Sequence, residues 1–372
     1  MSATELPRAF EPHFYRQHCQ NAANLSDEMA LAHYKAEGIQ AGFMGSPAAE
    51  RGALLSFIEQ GASVLEIGPF HSPSVTGERV RYLDVFSTDE LTKLVEEAGH
   101  DTSRVPTIHY VAPKGGFDMV DQTFDAVFSG HCIEHQPDLV RHLQGVSGIL
   151  EEDGRYFIAC PDKRFCFDHF APASGVADVL AAHHAQRAVH QPRSFIVQKV
   201  HRAHNDGDRH WAADHGSQQY ETYSDPKAEI FKDLPDDDAY HDTHAWQFTP
   251  SSFFEIMSFL YRIGMIDLAP ERVYQTRANS QEFTAVLRKG KSQETRDEAS
   301  FVPQDAPGQK SGLVLSYENL LAELDRARAD LATTKVELAN AKAELASVYA
   351  SHSWGITEPL RRLRTGFGRT RK

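Results

Sequence analysis

Residues 64–70 read Val64-Leu65-Glu66-Ile67-Gly68-Pro69-Phe70, an apolar run followed by a glycine. Such a run, with its acidic residue two positions before the glycine, predicts a first β-strand that turns into a nucleotide-binding loop. A dinucleotide diphosphate requires closely spaced glycines, because backbone N–H groups must approach the phosphates. The next glycine after Gly68 is Gly77, so the loop favours a nucleotide ligand that lacks a diphosphate.

A second strand is predicted at Val80-Arg81-Tyr82-Leu83-Asp84-Val85, where Asp84 stands at the strand end. Its carboxylate can accept hydrogen bonds from two ribose hydroxyls. A ribose-binding carboxylate next to a loop unsuited to a diphosphate points to an adenosine ligand, namely S-adenosylmethionine.

Four ordered blocks of sequence carry a resemblance to a known family. They are VLEIG at 64–68, YLDV at 82–85, FDAVFSGHCIEH at 124–135 and LEEDGRYFIACP at 150–161. In this order they resemble the class I S-adenosylmethionine-dependent methyltransferases, over about residues 45–170 and again near 245. One departure is that Pro69-Phe70 stands where the family usually has its second glycine.

The resemblance implies an α/β fold: a Rossmann-like, doubly wound, mostly parallel sheet whose last strand is antiparallel. The chain independently alternates predicted helices and strands from residue 47, which is typical of a parallel sheet with helices on both faces. A helix at 250–264 and strands at 265–275 and 281–288 would complete the sheet. We expect the methyltransferase domain to span residues 47–290.

The resemblance also implies which residues contact the cofactor. They are Glu66, Gly68, Pro69, Phe70, Asp84, Val85, Asp118, Ser129 and Gly130. Asp118 precedes the fourth strand, where the family often has an acceptor for the adenine amino group.

Methyl transfer to a hydroxyl needs a base, because the hydroxyl proton must leave as the new bond forms. His131 follows the fourth strand and is the first candidate, although it could merely line the cofactor pocket. Asp162, after the fifth strand, could be a base, an acceptor ligand or a loop cap. His241 and His244 could each be a base or an acceptor contact, and Trp246 could stack on a sugar ring.

The histidines raise the question of a metal. The spacing of His241 and His244 could hold an ion, but magnesium prefers oxygen ligands and no suitable carboxylate cluster is evident, so we assign none. Glu134 and His135 could cap and pack the start of a helix. The remaining histidines of this region are expected on a solvated surface: His183, His184, His190, His201, His204, His210 and His215.

Residues 162–245 form an insertion that is too long for an ordinary connection. Topology places it over the carboxyl ends of the strands, so we interpret it as a lid and acceptor-binding subdomain. Residues 1–46 predict an N-terminal module of short helices. This module resembles one found in bacterial polysaccharide-assembly proteins, and an ordinary helical cap is the alternative.

Three segments follow the core. Residues 291–312 are rich in polar residues and glycine and predict a flexible linker. Leucines seven residues apart at 313–350 predict a parallel two-stranded coiled coil and hence a homodimer, with a single docked helix as the alternative. The basic tail at 351–372 resembles tails of surface-polysaccharide proteins; it could contact a glycan-assembly complex or an anionic membrane, or be a solvated terminus.

Composition limits the environment and the partners. A net charge of −14 over 372 residues argues against a nucleic-acid partner. Four cysteines without C-x-x-C spacing, and an N-terminus without an apolar signal core, favour the cytoplasm, with the inner face of the membrane as a further option.

Together these features predict an enzyme that O-methylates a sugar hydroxyl of a bacterial surface polysaccharide or its precursor. The alternative is a weakly active or inactive scaffold, whose altered loop has lost the cofactor while the terminal segments organise an assembly complex. A methyltransferase for a small metabolite would leave the coiled coil unexplained.

Overall fold

The computed structural model describes residues 5–235, 241–290 and 301–303, together with residues 334, 335 and 342. The chain divides into two units, Met1–Gln304 and Asp305–Lys372. Apart from three single positions, the predicted coiled coil and basic tail lie outside the described residues. The same is true of the predicted linker, except at residues 301–303.

In the described part of the chain, a seven-stranded sheet forms the centre of the first unit. Its strands are β1 Val64–Ile67, β2 Val80–Asp84, β3 Tyr110–Val111, β4 Phe124–Gly130, β5 Leu150–Pro161, β6 Leu268–Val273 and β7 Glu282–Lys289. They lie in the order β3-β2-β1-β4-β5-β7-β6. The strands β1 to β5 pair in parallel, whereas β7 is antiparallel to both of its neighbours. The predicted fold class is confirmed.

Ten α-helices accompany the sheet within these residues. They are α1 Pro12–His18, α2 Asp27–His33, α3 Arg51–Leu55, α4 Thr88–Glu97, α5 Leu139–Ile149, α6 Val176–His184, α7 Pro192–His201, α8 Gly207–Trp211, α9 Pro226–Phe231 and α10 Pro250–Arg262. A helix capping box starts α4, because the Ser87 and Glu90 side chains each accept from the other residue's backbone N–H.

The core has two faces because successive side chains of a strand point to opposite sides of the sheet. Leu65 of β1 packs in one apolar cluster with residues of α5 and α10. Its neighbour Val64 packs in a second cluster with Leu54 of α3. On α10, buried residues recur at helical spacing, Phe253 and Met257 among them. The sheet is therefore covered by apolar side chains on both faces.

The N-terminal helices pack around three aromatic residues, Phe10, Tyr15 and Tyr34. Val302 belongs to the same cluster and is 3% exposed, and Phe301 stacks on Phe254 of α10. Both residues lie in the segment that we predicted to be a flexible linker. That prediction is wrong at these two positions, because apolar burial holds the chain against the core.

The insertion contains α6, α7, α8 and α9 among its described residues. Two of its histidines that we expected on a solvated surface are buried: His190 is 9% exposed and His210 is 2% exposed. The expectation is wrong for these two because short helices and loops of the insertion pack on one another. Within the described parts of the chain, no helix has both the length and the apolar character needed to cross a membrane.

Candidate functional site

A cavity of about 620 Å³ lies at the carboxyl ends of β1, β2 and β4. Open α/β sheets bind ligands at this edge, where the strand order reverses, and here the reversal falls between β1 and β4. The loop 114–117 forms one wall. The insertion contributes residues 188–190 and Asp242 to another, so it covers part of the cavity.

Asp84 ends β2 and lines the cavity, although it is only 6% exposed. Its Oδ1 accepts a hydrogen bond of 3.1 Å from the backbone N–H of Phe86. Burial raises the pKa of Asp84, and bonds from backbone N–H groups, that of Phe86 among them, oppose the rise. Because a carboxylate can accept about four hydrogen bonds, Asp84 can still bind the hydroxyls of a ligand.

Two residues of the loop after β1 have left-handed backbone conformations. Phe70, which stands where the family usually has its second glycine, has a φ of +47°, and Gly68 has a φ of +68°. This left-handed conformation costs a non-glycine residue about 1–2 kcal/mol, whereas glycine adopts it freely. A phenylalanine at this position therefore places a side chain at the cavity wall and carries strain that a glycine would not.

Glu66 has a different neighbourhood from the one we expected. It is 3% exposed and is not among the residues that line the cavity. Its two carboxylate oxygens accept backbone N–H groups of Ser74 at 2.8 Å and Val75 at 2.9 Å. Burial raises the pKa of Glu66, and these two bonds oppose the rise. In this structure Glu66 fastens the loop back onto β1.

His131 follows β4, lines the cavity and has a φ of +52°. Its Nε2 lies 2.8 Å from Oε2 of Glu282, the first residue of β7. Arg51, the first residue of α3, donates from Nε to Oε1 of the same carboxylate at 3.1 Å. Strained non-glycine residues of this kind cluster at functional sites.

The charge on Glu282 determines which nitrogen of His131 is available. Burial opposes ionisation of Glu282, but the hydrogen bonds from His131 and Arg51 outweigh it and lower its pKa to about 2. An ionised carboxylate can only accept, so the Nε2 of His131 must carry the proton. In the neutral ring Nδ1 then holds the lone pair, and this atom lies 4.0 Å from Oε1 of Glu134.

His131 and Glu282 also border a second depression, a groove of about 520 Å³ that we call the polar groove. Its other walls come from the insertion and from the segment before β7, and they include Asn205, Asp206, Asp208, Arg277, Asn279 and Gln281. Amide, carboxylate and guanidinium groups can all hydrogen-bond a ligand rich in hydroxyls. His131 therefore stands between the cavity and the polar groove.

A buried network of acids and histidines lies beside the cavity. Glu134 is 1% exposed, and neither carboxylate oxygen has a hydrogen-bond partner among the described residues. Its Oε1 is 3.5 Å from Nε2 of His135 and 3.8 Å from Nε2 of His244. The Nδ1 of His244 lies 2.6 Å from Oδ2 of Asp168, which orients the ring. The ligand atoms of Glu134, His135 and His244 are close enough to hold a metal ion.

Several predicted residues line the cavity and others do not. The residues that line it are Gly68, Phe70, Asp84, Val85, Gly130 and His131. The residues that are not among its walls are Glu66, Pro69, Asp118, Ser129, Asp162, His241 and His244. Ser129 is fully buried and shares a 2.6 Å hydrogen bond with the Tyr156 hydroxyl. Next to Asp118, the residue that contacts the cavity is Phe117.

The contacts found bear on two further predicted residues. Asp162 is fully buried, and its carboxylate binds the Arg164 guanidinium at 2.9 Å and the Thr276 hydroxyl at 2.6 Å. Its Oδ1 also accepts the backbone N–H of Arg164 at 3.0 Å, so the loop cap is the one of its three predicted roles that these contacts fit. Trp246 is 2% exposed and donates its indole N–H to the carbonyl of Gln136 at 2.6 Å, so the prediction that it stacks on a sugar ring is wrong.

Arg51, Glu282 and Asp168 are site residues that sequence reasoning missed. Arg51 and Glu282 are 231 positions apart, and neither belongs to one of the four sequence blocks. One signal could have found Glu282: it is the second residue of the last strand predicted at 281–288. If that strand is antiparallel to its neighbours, its first residues lie at the edge where β4 and β5 end.

Residues 73–158 match the model of a family described as a methyltransferase domain. The matched stretch runs from the loop after β1 into β5, so it includes Asp84 and His131. No curated protein matches the chain. Over residues 73–158 the chain is therefore similar to methyltransferase domains.

Solved structures of methyltransferases are similar to this chain at a low level. The mitomycin 7-O-methyltransferase MmcR is 11% identical, over 75% of this chain and 61% of its own, with a TM-score of 0.32. CcbJ from Streptomyces caelestis is 19% identical, over 35% of this chain and 57% of its own, with a TM-score of 0.23. The glycopeptide N-methyltransferase MtfA is 16% identical, over 34% and 55%, with a TM-score of 0.24. The chain thus spans little more than half the length of these proteins.

Proposed function

We propose that this protein is an S-adenosylmethionine-dependent methyltransferase that O-methylates a sugar hydroxyl of a bacterial surface polysaccharide or its precursor. The observation that carries the proposal is the position of His131. It lies at the carboxyl edge of a sheet with methyltransferase topology, between a cavity suited to the cofactor and a groove suited to a hydroxyl-rich acceptor.

The residues of the cavity fit S-adenosylmethionine. Asp84 would bind the ribose hydroxyls, and apolar side chains such as Phe86 and Phe117 would pack against the adenine. Among the residues that line the cavity, Lys114 is the only lysine or arginine, so the cavity suits a cationic sulfonium better than a diphosphate. The cofactor supplies an electrophilic methyl group when it is bound.

His131 would act as the base for the acceptor hydroxyl. Glu282 holds Nε2 of the ring, so Nδ1 would accept the hydroxyl proton. The ionised Glu282 would stabilise the imidazolium that forms, as carboxylates do in other histidine–carboxylate pairs. The Glu134 carboxylate, 4.0 Å from Nδ1, would add to this stabilisation.

The choice of a sugar acceptor is supported by the polar groove, whose amide, carboxylate and guanidinium groups match a ligand rich in hydroxyls. The choice of a bacterial surface polysaccharide is supported only by the resemblance of the N-terminal module and the basic tail to assembly proteins. We propose further that residues 313–350 form a homodimer and that the tail contacts an assembly complex or a membrane surface.

Calorimetric titration of the full chain with S-adenosylmethionine tests the first part. We expect wild-type protein to bind and Asp84→Ala to bind about 10- to 100-fold more weakly, because a hydrogen bond to a charged group contributes about 1.5–3 kcal/mol. Asp89→Ala, an exposed carboxylate of α4 outside the cavity, is the matched control. If wild-type protein did not bind the cofactor, the enzyme proposal would fail and the scaffold alternative would replace it.

Two further experiments test the acceptor and the dimer. Incubation with labelled S-adenosylmethionine and a panel of surface glycans should give labelled glycan, and labelling of small metabolites alone would exclude the sugar acceptor.

Deletion of residues 313–372 should halve the mass measured by light scattering without a change in cofactor affinity. An unchanged mass would exclude the coiled-coil dimer.

A further inference from the structure

Three histidines of the insertion converge on one point. His169 lies in the loop after β5, His210 on α8, and His215 just beyond the end of α8. One ligand atom from each lies within 4.8 Å of the other two. None of the three lines the cavity or the polar groove. The cluster is therefore separate from the site proposed for methyl transfer.

The hydrogen bonds around two of these rings identify their free nitrogens. The Nδ1 of His169 lies 2.8 Å from the carbonyl oxygen of Arg164, so Nδ1 carries the proton. The Nε2 of His210 lies 3.1 Å from the carbonyl oxygen of His204, so this ring is protonated at Nε2. In their neutral forms, His169 then has its lone pair on Nε2 and His210 on Nδ1. Metal-ligating histidines are oriented in this way, with the outer ring nitrogen donating to a backbone carbonyl.

The spacing of the nitrogens suits a small metal ion. The two Nδ1 atoms of His210 and His215 are 3.1 Å apart. A tetrahedral zinc ion, with Zn–N distances of about 2.0–2.1 Å, would place two ligand nitrogens about 3.3 Å apart. The ring of His169 stacks on that of His215 with 3.7 Å between centroids, so His169 lies next to the other two ligands. Because a metal ion lies in the plane of each imidazole that binds it, one of these two rings must rotate when the ion binds.

A metal ion binds the neutral form of histidine, and the carbonyl contacts above leave one nitrogen of His169 and one of His210 with a lone pair in that form. Two basic side chains near the cluster have hydrogen-bond partners of their own. Lys163 donates to the carbonyl of His169 at 2.8 Å, and Arg209 pairs with Asp214 at 2.8 Å.

We propose that His169, His210 and His215 bind a zinc ion, with a fourth position open to water. The ion ties the loop after β5 to α8. Asn205 and Asp208, which border the polar groove, lie on the segment that this link holds in place. The metal site itself is independent of the proposed function, whereas its effect on acceptor binding rests on that function.

Zinc titration of the full chain, prepared without a histidine tag and stripped of metal, tests the proposal. A chromophoric chelator competes for the ion, and Co²⁺ absorption reports the coordination geometry. We expect one zinc per chain at this site. At a zinc concentration about 100 times the Kd, the Tm should rise by roughly 5 °C.

Loss of a residue that only hydrogen-bonds a metal ligand typically weakens metal binding by about 10- to 100-fold. Because His169→Gln and His215→Ala each remove a ligand itself, each should weaken zinc binding by more than this. His184→Ala, an exposed histidine of α6, should bind zinc like wild type. His244→Ala separates this site from the Glu134 network: it should leave the zinc affinity of the histidine cluster unchanged. Circular dichroism of the metal-free variants verifies that they fold.

Two results would overturn the proposal. The first is wild-type protein that takes up no zinc, since the 3.1 Å contact between His210 and His215 would then be an N–H···N hydrogen bond. The second is zinc uptake that only His244→Ala reduces, since the ion would then belong to the network around Glu134. Two zinc ions per chain, of which His215→Ala removes one, would support it.

Discussion

The cavity and the insertion bring their polar residues together in different ways. In the cavity, Gly68 and His131 each follow a parallel strand and Asp84 ends one, and the backbone ladders of β1, β2 and β4 align them at one edge. In the insertion, side chains on short helices and loops hold one another, as Phe165 and Trp211 do by stacking 3.9 Å apart. Cavity geometry should therefore withstand side-chain changes that disturb the insertion.

The largest effect is expected at His131, which borders both the cavity and the polar groove that the insertion helps to form. His131→Ala should lower kcat by about 10²- to 10⁴-fold, the usual contribution of a general base, and leave the affinity for S-adenosylmethionine unchanged. Steady-state kinetics and calorimetry measure the two quantities. His13→Ala, an exposed histidine of α1, is the control. Turnover near the wild-type rate would show that His131 only lines the cavity.

Acid should weaken the contact between Glu282 and the ring of His131. The folded-state pKa of Glu282 is about 2, below its ordinary value of 4.5. Its stabilising contribution is thus complete above pH 4.5 and is lost as the pH falls toward 2; it amounts to about 3 kcal/mol. Glu282→Gln should remove this part of the pH dependence.

Denaturant unfolding across that pH range measures the effect of Glu282→Gln. Glu28→Gln, an exposed glutamate of α2, is the control and should retain the wild-type slope. Equal slopes for Glu282→Gln and wild type would mean that the carboxylate is not held by His131 and Arg51 in solution.

A smaller effect on stability and on acceptor KM is expected where the insertion contacts the segment before β7. Trp211→Phe keeps an aromatic ring against Phe165 but removes the 2.8 Å hydrogen bond from the indole N–H to the carbonyl of Ser280. We expect about 1 kcal/mol less stability. Because Ser280 borders the polar groove, KM for the acceptor should rise while cofactor affinity stays the same.

Tyr261→Phe is the matched control for this variant, since it removes a 3.1 Å bond from α10 to the carbonyl of Gly290. It should lose similar stability without a change in KM. If both variants raised KM equally, the insertion would not be the element that shapes the groove.

The smallest effect is expected in the loop after β1. Phe70→Gly relieves about 1–2 kcal/mol of left-handed strain and removes a ring that is 41% exposed, so cofactor affinity should change little. Gly68→Ala is the complementary change: its Cβ would find room, with Cys132 atoms at 3.7 Å, but its φ of +68° would be strained. It should therefore lower the Tm. A Phe70→Gly variant that no longer binds the cofactor would show that the ring is part of the binding site.

Much of the fold could be predicted because it depends on local patterns. The apolar runs at β1 and β4 and the carboxylate at the end of β2 are visible in the sequence, and parallel pairing then places their ends together. The same reasoning did not anticipate the contacts of Glu66, because the sequence does not show that its carboxylate accepts the N–H groups of Ser74 and Val75.

The class of fold and the positions of Asp84 and His131 at the ends of their strands could be read from the sequence, because hydrophobic periodicity and strand topology are local or nearly so. The antiparallel last strand was implied by the family resemblance. The pairing of His131 with Glu282 and the convergence of the insertion's histidines became visible in the tertiary structure alone. Such contacts join residues far apart in the chain, and side-chain packing, which no local pattern encodes, selects them.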